Sequence, residues 1–178
     1  LKEATRFLIA STSEMMAYGM SYATVGEFLL GNPDYGSLCE GFHDFYSTYE
    51  MMPCGTLAVT DCSELDNMAA IMKSINDRYV FDDSLQGELQ GLDGYTPVIF
   101  YDFADYVLTL CSDPVLTARF REQLERLVPY KTHTGKFYSR TKGPLPIHTF
   151  SGITISDPST NPMALLKGTT SWYKATHE

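Results

Sequence analysis

The sequence predicts an α/β protein of three layers, with helices on both faces of a sheet, and this chain holds the second half of that sheet. Short apolar strands are interleaved with amphipathic helices along the chain, and this alternation is typical of a sheet covered by helices. The strands are few and short, which indicates part of a sheet rather than a whole one. At 178 residues, with 44% hydrophobic and 20% charged residues, the chain suits one folded domain and not a disordered segment.

The first half of the chain carries two predicted strands separated by two predicted helices. Residues 6–11 are an apolar run of the kind found in buried parallel strands, and Gly19 in the following loop is free to take a positive φ. Thr24 and Glu27 stand at the spacing of a capping box, and Ser63 is placed to cap the helix after the second strand. The predicted elements are a strand at 6–11, a loop at 12–19, helices at 21–30 and 35–52, a strand at 55–61 and a helix at 64–78.

The second half is predicted to have helices near its start and strands towards its end. Asp113 and Pro114 together predict the start of a helix, because proline is favoured at the first helical position. Residues 147–156 alternate between apolar and polar side chains, as a half-buried strand does. The predicted elements are an irregular surface segment at 81–97, helices at 98–111 and 114–127, a strand at 128–134, a basic loop at 136–146, a strand at 147–156 and one or two helices within 163–176.

The charge of the chain argues against two classes of partner. Thirteen Lys and Arg residues stand against 22 Asp and Glu residues, which gives a formal net charge of −9 and a pI of about 4.8. Such a protein is repelled by the phosphates of nucleic acids and by anionic membrane surfaces, so we expect no nucleic acid as a partner. No apolar run approaches the ~18 residues of a membrane span, so no span is expected.

The sequence contains no general catalytic motif and no metal-ligand pair. It lacks a P-loop, a G-x-G-x-x-G turn, a G-x-S-x-G elbow and an H-E-x-x-H zinc motif. No cysteines are spaced C-x-x-C and no histidine stands at zinc-ligand spacing from them, so buried free thiols are expected. A disulfide between Cys54 and Cys62 is the alternative. The cysteines are Cys39, Cys54, Cys62 and Cys111.

A cluster of carboxylates in the irregular segment leaves two interpretations open. It is either a solvated acidic surface or a weak calcium site, since Ca²⁺ is bound by carboxylate oxygens. No other metal and no cofactor is indicated. The residues concerned are Asp82, Asp83, Glu88 and Asp93.

The loop after the first strand is the candidate binding site of the chain. Ligands bind at the carboxyl ends of the strands in a parallel sheet, and this loop would lie there. It combines hydroxyl groups, a carboxylate, and Met and Tyr side chains; the alternative is a simple connection between two elements. The candidate substrate-binding residues are Ser11, Thr12, Glu14, Met16, Tyr18 and Gly19.

Five short segments, taken in their order along the chain, carry a family resemblance. They are Ile9-Ala10-Ser11 followed by Glu14 and Tyr22, residues 55–61 with Leu65, residues 100–106, residues 150–158 and residues 171–174. Together they resemble the clostripain family of cysteine peptidases, in the caspase-like group. The resemblance implies a caspase-like α/β/α sandwich, in which residues 1–178 are the C-terminal portion of a single peptidase domain and Leu1 is a cleavage or fragment end.

The resemblance also implies a cysteine endopeptidase whose reactive residues lie outside this chain. In the family the His base and the Cys nucleophile both precede the segment that matches Leu1, so no catalytic residue is assigned here. The N-terminal chain of the same processed precursor is then the expected partner, and a peptide or protein is the expected substrate. The family is largely bacterial and exported, which implies a secreted or cell-surface protein.

A preference for cleavage after basic residues is a further implication, because such family members use acidic groups in the pocket. One expected acidic position is occupied here by Tyr18 or a near neighbour, so our hypothesis is that Glu14 or an upstream Asp supplies the charge. Two rival interpretations are a non-catalytic pseudo-peptidase of the same fold, and an unrelated α/β domain whose acidic surface binds a partner. A sheet complete within these residues would favour the unrelated domain, whereas an open edge would favour part of a larger sheet.

Overall fold

The computed structural model describes residues 2–178, which form a mixed α/β fold. The strands are β1 (Phe7–Ala10), β2 (Thr56–Asp61), β3 (Tyr101–Asp102), β4 (Tyr130–His133), β5 (Lys136–Ser139), β6 (Gly143–Pro146) and β7 (Thr154–Ile155). The α-helices are α1 (Tyr22–Val25), α2 (Tyr35–Ser47), α3 (Leu65–Asn76), α4 (Phe103–Leu110), α5 (Pro114–Leu127) and α6 (Ser171–His177). Turns of 3₁₀ helix cover Gly26–Leu29, Cys62–Glu64, Asp83–Glu88 and Pro162–Thr169. None of the helices in this part of the chain is both long and apolar enough to cross a membrane.

The largest sheet has the strand order β1-β2-β4, and both of its strand pairs are antiparallel. Ala10, the last residue of β1, lies opposite Ala58 of β2. The expectation of a buried parallel strand at 6–11 is therefore wrong: β1 is only half-buried, and a short apolar run does not encode the direction of its neighbour. Among residues 2–178 no strand pairs with the outer edge of β1, so the sheet is open on that side.

Strand β2 lies between two apolar clusters. Leu57 and Val59 are fully buried in a cluster with α1 and α2, whereas Ala58 belongs to a larger cluster with α3, α4 and α5. Successive side chains of a strand point to opposite faces, so helices cover both faces of the sheet at β2. This coverage explains why every residue of β2 except the last is buried.

The helix predicted to start at Asp113 and Pro114 is confirmed as α5. The Asp113 carboxylate accepts hydrogen bonds from the backbone N–H groups of Val115 at 2.8 Å and Leu116 at 3.2 Å, and Pro114 occupies the first turn. These contacts satisfy two of the N–H groups that a helix start leaves without partners. Helices α2 and α3 confirm the two longer helices predicted before it, although both are shorter than predicted.

Two other predicted helix starts have different chemistry in the structure. The residues predicted as a helix at 21–30 form α1 and a 3₁₀ turn. The hydroxyl of Thr24, predicted to form a capping box with Glu27, instead contacts Ser21 Oγ at 2.9 Å. Ser63 was predicted to cap α3, but the start of α3 has no side-chain cap; instead Asp61 caps the preceding 3₁₀ turn, because its carboxylate accepts from the Ser63 backbone N–H at 3.0 Å. Aspartate and serine both offer the acceptor that a cap needs, so the sequence places this cap only to within two residues.

Residues 136–146, predicted as a loop, form a hairpin of β5 and β6. Pro144 and Pro146 favour a loop, but β6 is an edge strand, where proline is tolerated. The strand predicted at 147–156 is reduced to β7, because Gly152 turns the chain with a φ of 81° just before it. Strand β7 pairs with β3, and the residues of β3 were predicted to belong to the helix at 98–111.

All four cysteines are buried and free, so the alternative disulfide between Cys54 and Cys62 is wrong. Two of the sulfur atoms lie near backbone carbonyls: Cys54 Sγ is 3.8 Å from the Met52 oxygen, and Cys62 Sγ is 3.9 Å from the Thr60 oxygen. Burial of this kind is typical of structural thiols.

Candidate substrate-binding site

Hydroxyl groups gather where β1 ends and β2 begins, since the two strands run antiparallel. Thr56 is buried at the start of β2, and its Oγ1 lies 2.7 Å from Ser11 Oγ, 3.2 Å from Thr12 Oγ1 and 3.0 Å from Ser13 Oγ. Ser11 Oγ also donates to the Ser13 carbonyl oxygen at 2.9 Å, which closes a tight turn. Hydroxyls both donate and accept, so these groups satisfy one another and fix the first part of the loop on β2.

Glu14 fixes the next part of the loop to the β5–β6 hairpin. It forms an isolated antiparallel bridge with Tyr138, and its carboxylate accepts a hydrogen bond from the backbone N–H of Arg140. A hydrogen bond to an ionised carboxylate is among the stronger ones in proteins. Glu14 is half-buried, so its negative charge is held in a defined place at the surface of the loop.

The tip of the loop is a turn closed by Gly19. This residue has a φ of 62°, the positive value that a glycine was expected to be free to take here, and its N–H donates to the Met16 carbonyl oxygen at 2.8 Å. Tyr46 of α2 donates from its hydroxyl to the Gly19 carbonyl oxygen at 2.5 Å, and Met16 packs against the cluster of α1 and α2. Burial raises the pKa of Tyr46, so its hydroxyl keeps the proton that it donates.

Tyr18 projects into solvent from this turn, with 65% of its surface exposed. Its ring meets Tyr49 edge-to-face with 5.1 Å between ring centroids, and the Tyr18 side chain raises the pKa of Tyr49 to about 12. An exposed aromatic ring supported by a half-buried one offers flat apolar surface to a bound peptide. A phenol is neutral at pH 7, so Tyr18 does not supply the charge expected at an acidic pocket position.

The structure places the six candidate residues in one loop, but they differ in what they do there. The hydroxyl residues hold the loop on β2, and the turn residues hold it on α2. Glu14 and Tyr18 are the two that present chemistry at its surface, a fixed carboxylate and an exposed ring. That these residues bind a substrate stays a prediction.

Sequence reasoning missed three residues that position the loop: Thr56, Tyr46 and Arg140. The burial of Tyr46 has a sequence signal, because it lies four residues after Phe42 on the apolar face of α2. Thr56 is an ordinary strand residue by pattern, and nothing in its neighbours indicates three hydroxyl contacts. Arg140 contributes its backbone N–H, which no side-chain pattern can reveal.

Helix α2 carries a cysteine and a histidine one turn apart, but this cysteine has the wrong chemistry for a nucleophile. Cys39 and His43, one turn apart on α2, both line a surface cavity of about 500 Å³ beside β4. Burial raises the pKa of Cys39 to about 11, so its thiol stays protonated at neutral pH, whereas a nucleophilic cysteine has a lowered pKa. His43 contacts Ser47 Oγ at 3.2 Å instead.

The acidic segment does not gather into a metal site. The Asp93 carboxylate accepts from the backbone N–H groups of Tyr95 at 2.8 Å, Ile99 at 2.8 Å and Phe100 at 2.7 Å. Within residues 2–178 no three His, Cys, Asp or Glu side chains are placed to hold one ion. The calcium hypothesis for this segment therefore has no support from the described residues.

Comparison with solved structures finds proteins of the same fold. A clostripain from Bacteroides thetaiotaomicron, in complex with the peptide inhibitor BTN-VLTK-AOMK, is 61% identical with a TM-score of 0.97, and the match covers 99% of this chain and 78% of that chain. "Iotapain", a secreted C11 cysteine protease from Bacteroides thetaiotaomicron, is also 61% identical with a TM-score of 0.97, over 99% of this chain and 50% of that chain. An inactive zymogen C11 protease from Parabacteroides distasonis is 28% identical with a TM-score of 0.82, over 99% of this chain and 53% of that chain. This chain thus spans about half the length of two of these three proteins.

A scan against protein-family models found no match, and neither did a search of the curated proteins. The fold is that of the caspase-like cysteine proteases, as the solved structures show. With 61% identity over 99% of its length, the chain belongs to the clostripain-like, or C11, family of cysteine proteases. This membership rules out the interpretation as an unrelated α/β domain.

Proposed function

We propose that residues 1–178 are the C-terminal portion of a single caspase-like peptidase domain that cleaves peptide bonds after basic residues. The observation that carries the proposal is the 61% identity to a clostripain whose bound inhibitor, BTN-VLTK-AOMK, has K, the letter for lysine, next to its AOMK group. The complete domain is a three-layer α/β/α sandwich in this proposal. The clusters on the two faces of β2 support that arrangement.

In the proposed enzyme the His base and the Cys nucleophile come from the segment or chain that precedes Leu1. The cysteines of this chain are buried, which is unlike a reactive thiol. Iotapain is about twice as long as the part matched here, so a protein of that length has room for both reactive residues elsewhere. The unpaired edge of β1 offers backbone N–H and C=O groups to a further strand, which supports the N-terminal chain of the same precursor as the partner.

In this proposal the upstream segment supplies the reactive groups, and residues 1–178 supply part of the specificity pocket. The upstream thiolate attacks the scissile carbonyl, the histidine protonates the leaving amine, and backbone N–H groups stabilise the oxyanion. Residues 11–19 of this chain form one wall of the specificity pocket. Glu14 there provides a carboxylate for the Lys or Arg side chain of the substrate, and Tyr18 provides an apolar surface beside it.

Export from a bacterial cell and activation by cleavage of a precursor belong to the same proposal. Iotapain is described as secreted, and the Parabacteroides distasonis relative is described as an inactive zymogen. The proposal therefore places the protein outside the cell or at its surface, as two associated chains of one precursor.

Peptidase assays on the full-length gene product test the proposal. Three matched fluorogenic peptides carry Lys, Arg or Leu before the scissile bond. The Lys and Arg peptides should be cleaved, and kcat/KM for the Leu peptide should be at least about 100-fold lower than for either of them. Equal rates on all three would contradict the basic preference. No hydrolysis of any peptide, with Ser, Gly or Ala at the upstream nucleophile position, would favour the pseudo-peptidase alternative.

The variant Glu14→Gln tests the role of the carboxylate. Glutamine retains an oxygen that can accept from the Arg140 N–H but removes the charge, so the loop should keep its place. We expect kcat/KM for the Lys peptide to fall about tenfold, with little change for the Leu peptide. Glu27→Gln, on the 3₁₀ turn Gly26–Leu29, is the matched control. An equal loss on both peptides would show that Glu14 does not read the basic residue.

A further inference from the structure

The hairpin beside Glu14 carries a charge opposite to that of the rest of the chain. Residues 126–156 contain five Lys or Arg residues and no Asp or Glu, so this stretch has a formal charge of +5 in a chain of −9. The other residues together carry −14. Four of these cations are exposed near the hairpin. Lys131 lies on β4, Lys136 on β5, and Arg140 and Lys142 in the turn between β5 and β6.

Among residues 2–178 no charged side-chain group of Lys136, Arg140 or Lys142 forms an ion pair, and the Glu14 carboxylate contacts the hairpin at the backbone N–H of Arg140. The ion pairs of Lys and Arg in that part of the chain use residues outside the hairpin, such as Lys2 and Arg126. Lys142 Nζ lies 3.0 Å from Thr96 Oγ1 and 3.5 Å from the Tyr95 carbonyl oxygen, which are neutral groups. Exposed cations without an ion-pair partner produce a local positive potential that attracts anionic ligands.

The hairpin is held firmly against the segment before β3. Thr141 Oγ1 donates to the Gly94 carbonyl oxygen at 3.3 Å, and Gln90 Nε2 donates to the Pro146 carbonyl oxygen at 3.3 Å. Ser139 is buried between these contacts. A surface whose backbone is already ordered loses little conformational entropy when a ligand binds.

The hairpin also touches the candidate loop, and it does so through its backbone. Tyr138 bridges to Glu14, and the backbone N–H of Arg140 donates to the Glu14 carboxylate, while the Arg140 residue as a whole is exposed. An extended peptide advances about 3.3–3.6 Å per residue. Substrate residues a few positions from a basic residue at Glu14 therefore come within reach of the long side chains of the hairpin.

We propose that Lys136, Arg140 and Lys142 form a secondary specificity site that selects acidic residues near the cleavage site of the substrate. This inference rests on the proposed function, since it takes a basic residue held at Glu14 as its reference point. A chain of −9 repels acidic peptides, and the hairpin reverses that effect locally. One exposed ion pair changes affinity by up to about fivefold, so three cations acting together support a preference of about five- to tenfold.

Paired peptides and the full-length protein test the inference. Each pair keeps Lys before the scissile bond and differs only by Glu or Gln at one position two to four residues away, on either side. At low ionic strength the Glu peptide of at least one pair should have about five- to tenfold higher kcat/KM. At about 0.5 M NaCl, where the Debye length is roughly 4 Å, the preference should fall below about twofold.

Two triple variants separate the hairpin from the general charge of the protein. K136Q/R140Q/K142Q should bring the ratio of kcat/KM between the Glu and Gln peptides of each pair to about one, and an unchanged Tm in thermal unfolding shows that the variant is folded. R119Q/R121Q/K174Q removes three exposed cations from α5 and α6 and should keep the preference. An equal loss in both variants, or equal rates for Glu and Gln peptides in the wild type, overturns the inference.

The outcomes also separate this inference from the proposed function. Cleavage after Lys without any Glu preference removes the secondary site alone, whereas failure to cleave any basic peptide removes both. A labelled oligonucleotide provides a further test. If it binds the wild type but not K136Q/R140Q/K142Q, and cleavage shows no Glu preference, the hairpin binds nucleic acid and does not select acidic peptides.

Discussion

Gly152 brings the segment before β7 into close contact with the sheet, and its replacement by alanine tests that packing. A Cβ at this position would lie 2.8 Å from Val128 Cγ1, 3.0 Å from Ala58 Cβ and 3.1 Å from Lys131 Cβ. Two of these are Cβ atoms attached directly to β2 and β4, so they cannot give way unless the strands move. The overpacking costs about 1–3 kcal/mol, and the left-handed φ of 81° costs a residue with a side chain about 1–2 kcal/mol more.

We therefore expect Gly152→Ala to lower the free energy of unfolding by about 2–5 kcal/mol. At about 2–4 °C per kcal/mol for a domain of this size, Tm should fall by about 4–20 °C in thermal unfolding of the full-length protein followed by circular dichroism. Gly135→Ala is the matched control, because it has a φ of 80° and no atom within 4 Å of the added Cβ, so it carries only the conformational cost. Equal losses of Tm in the two variants would refute the close packing.

Two further predictions concern the loop and a buried carboxylate. Tyr46→Phe removes the hydroxyl that holds Gly19. We expect the free energy of unfolding, measured by chemical denaturation, to fall by about 1 kcal/mol, and KM to rise at similar kcat. An equal change in Tyr49→Phe would contradict this role. Asp102 is buried and accepts from Ser151 Oγ at 2.8 Å, and burial raises its pKa. The folded state therefore holds this proton more tightly than the unfolded state. Stability is lost as the pH rises above about 4, the ordinary pKa of an aspartate, and passes through the raised pKa, so the advantage of the wild type over Asp102→Asn should shrink over that rise. Parallel pH profiles of Tm for the two proteins would show that the proton on Asp102 does not contribute.

The elements that the sequence predicted well depend on neighbouring residues. The start of α5 follows from an aspartate and a proline in succession, and the positive φ of Gly19 follows from a glycine inside a polar loop. The direction of β1 has a different origin, since its partner β2 lies about fifty residues further along the chain. The hairpin at 136–146 was missed for the same reason: its prolines indicate a loop locally, and the edge position that tolerates them is a property of the whole sheet.

The candidate site likewise combines features that neighbouring residues encode with contacts between distant parts of the chain. The sequence located the loop, because polar residues and a glycine follow an apolar run, and it proposed Glu14 as a charged group. The contacts that hold the loop come from Thr56, Tyr46 and the backbone of Arg140, which lie between 27 and 126 residues away along the chain. Such contacts depend on which elements the fold brings together, and no local pattern encodes them.

These three contacts also determine which part of the proposed enzyme sets its specificity. The loop is fixed at Thr56 on β2, at Arg140 on the hairpin and at Tyr46 on α2, and all three elements belong to this chain. A pocket wall held at three points needs no contact with the reactive cysteine to keep its shape. In the proposed enzyme, residues 11–19 would then select the residue before the cleaved bond, whereas the rate of bond cleavage would depend on how the upstream segment places its thiolate against them.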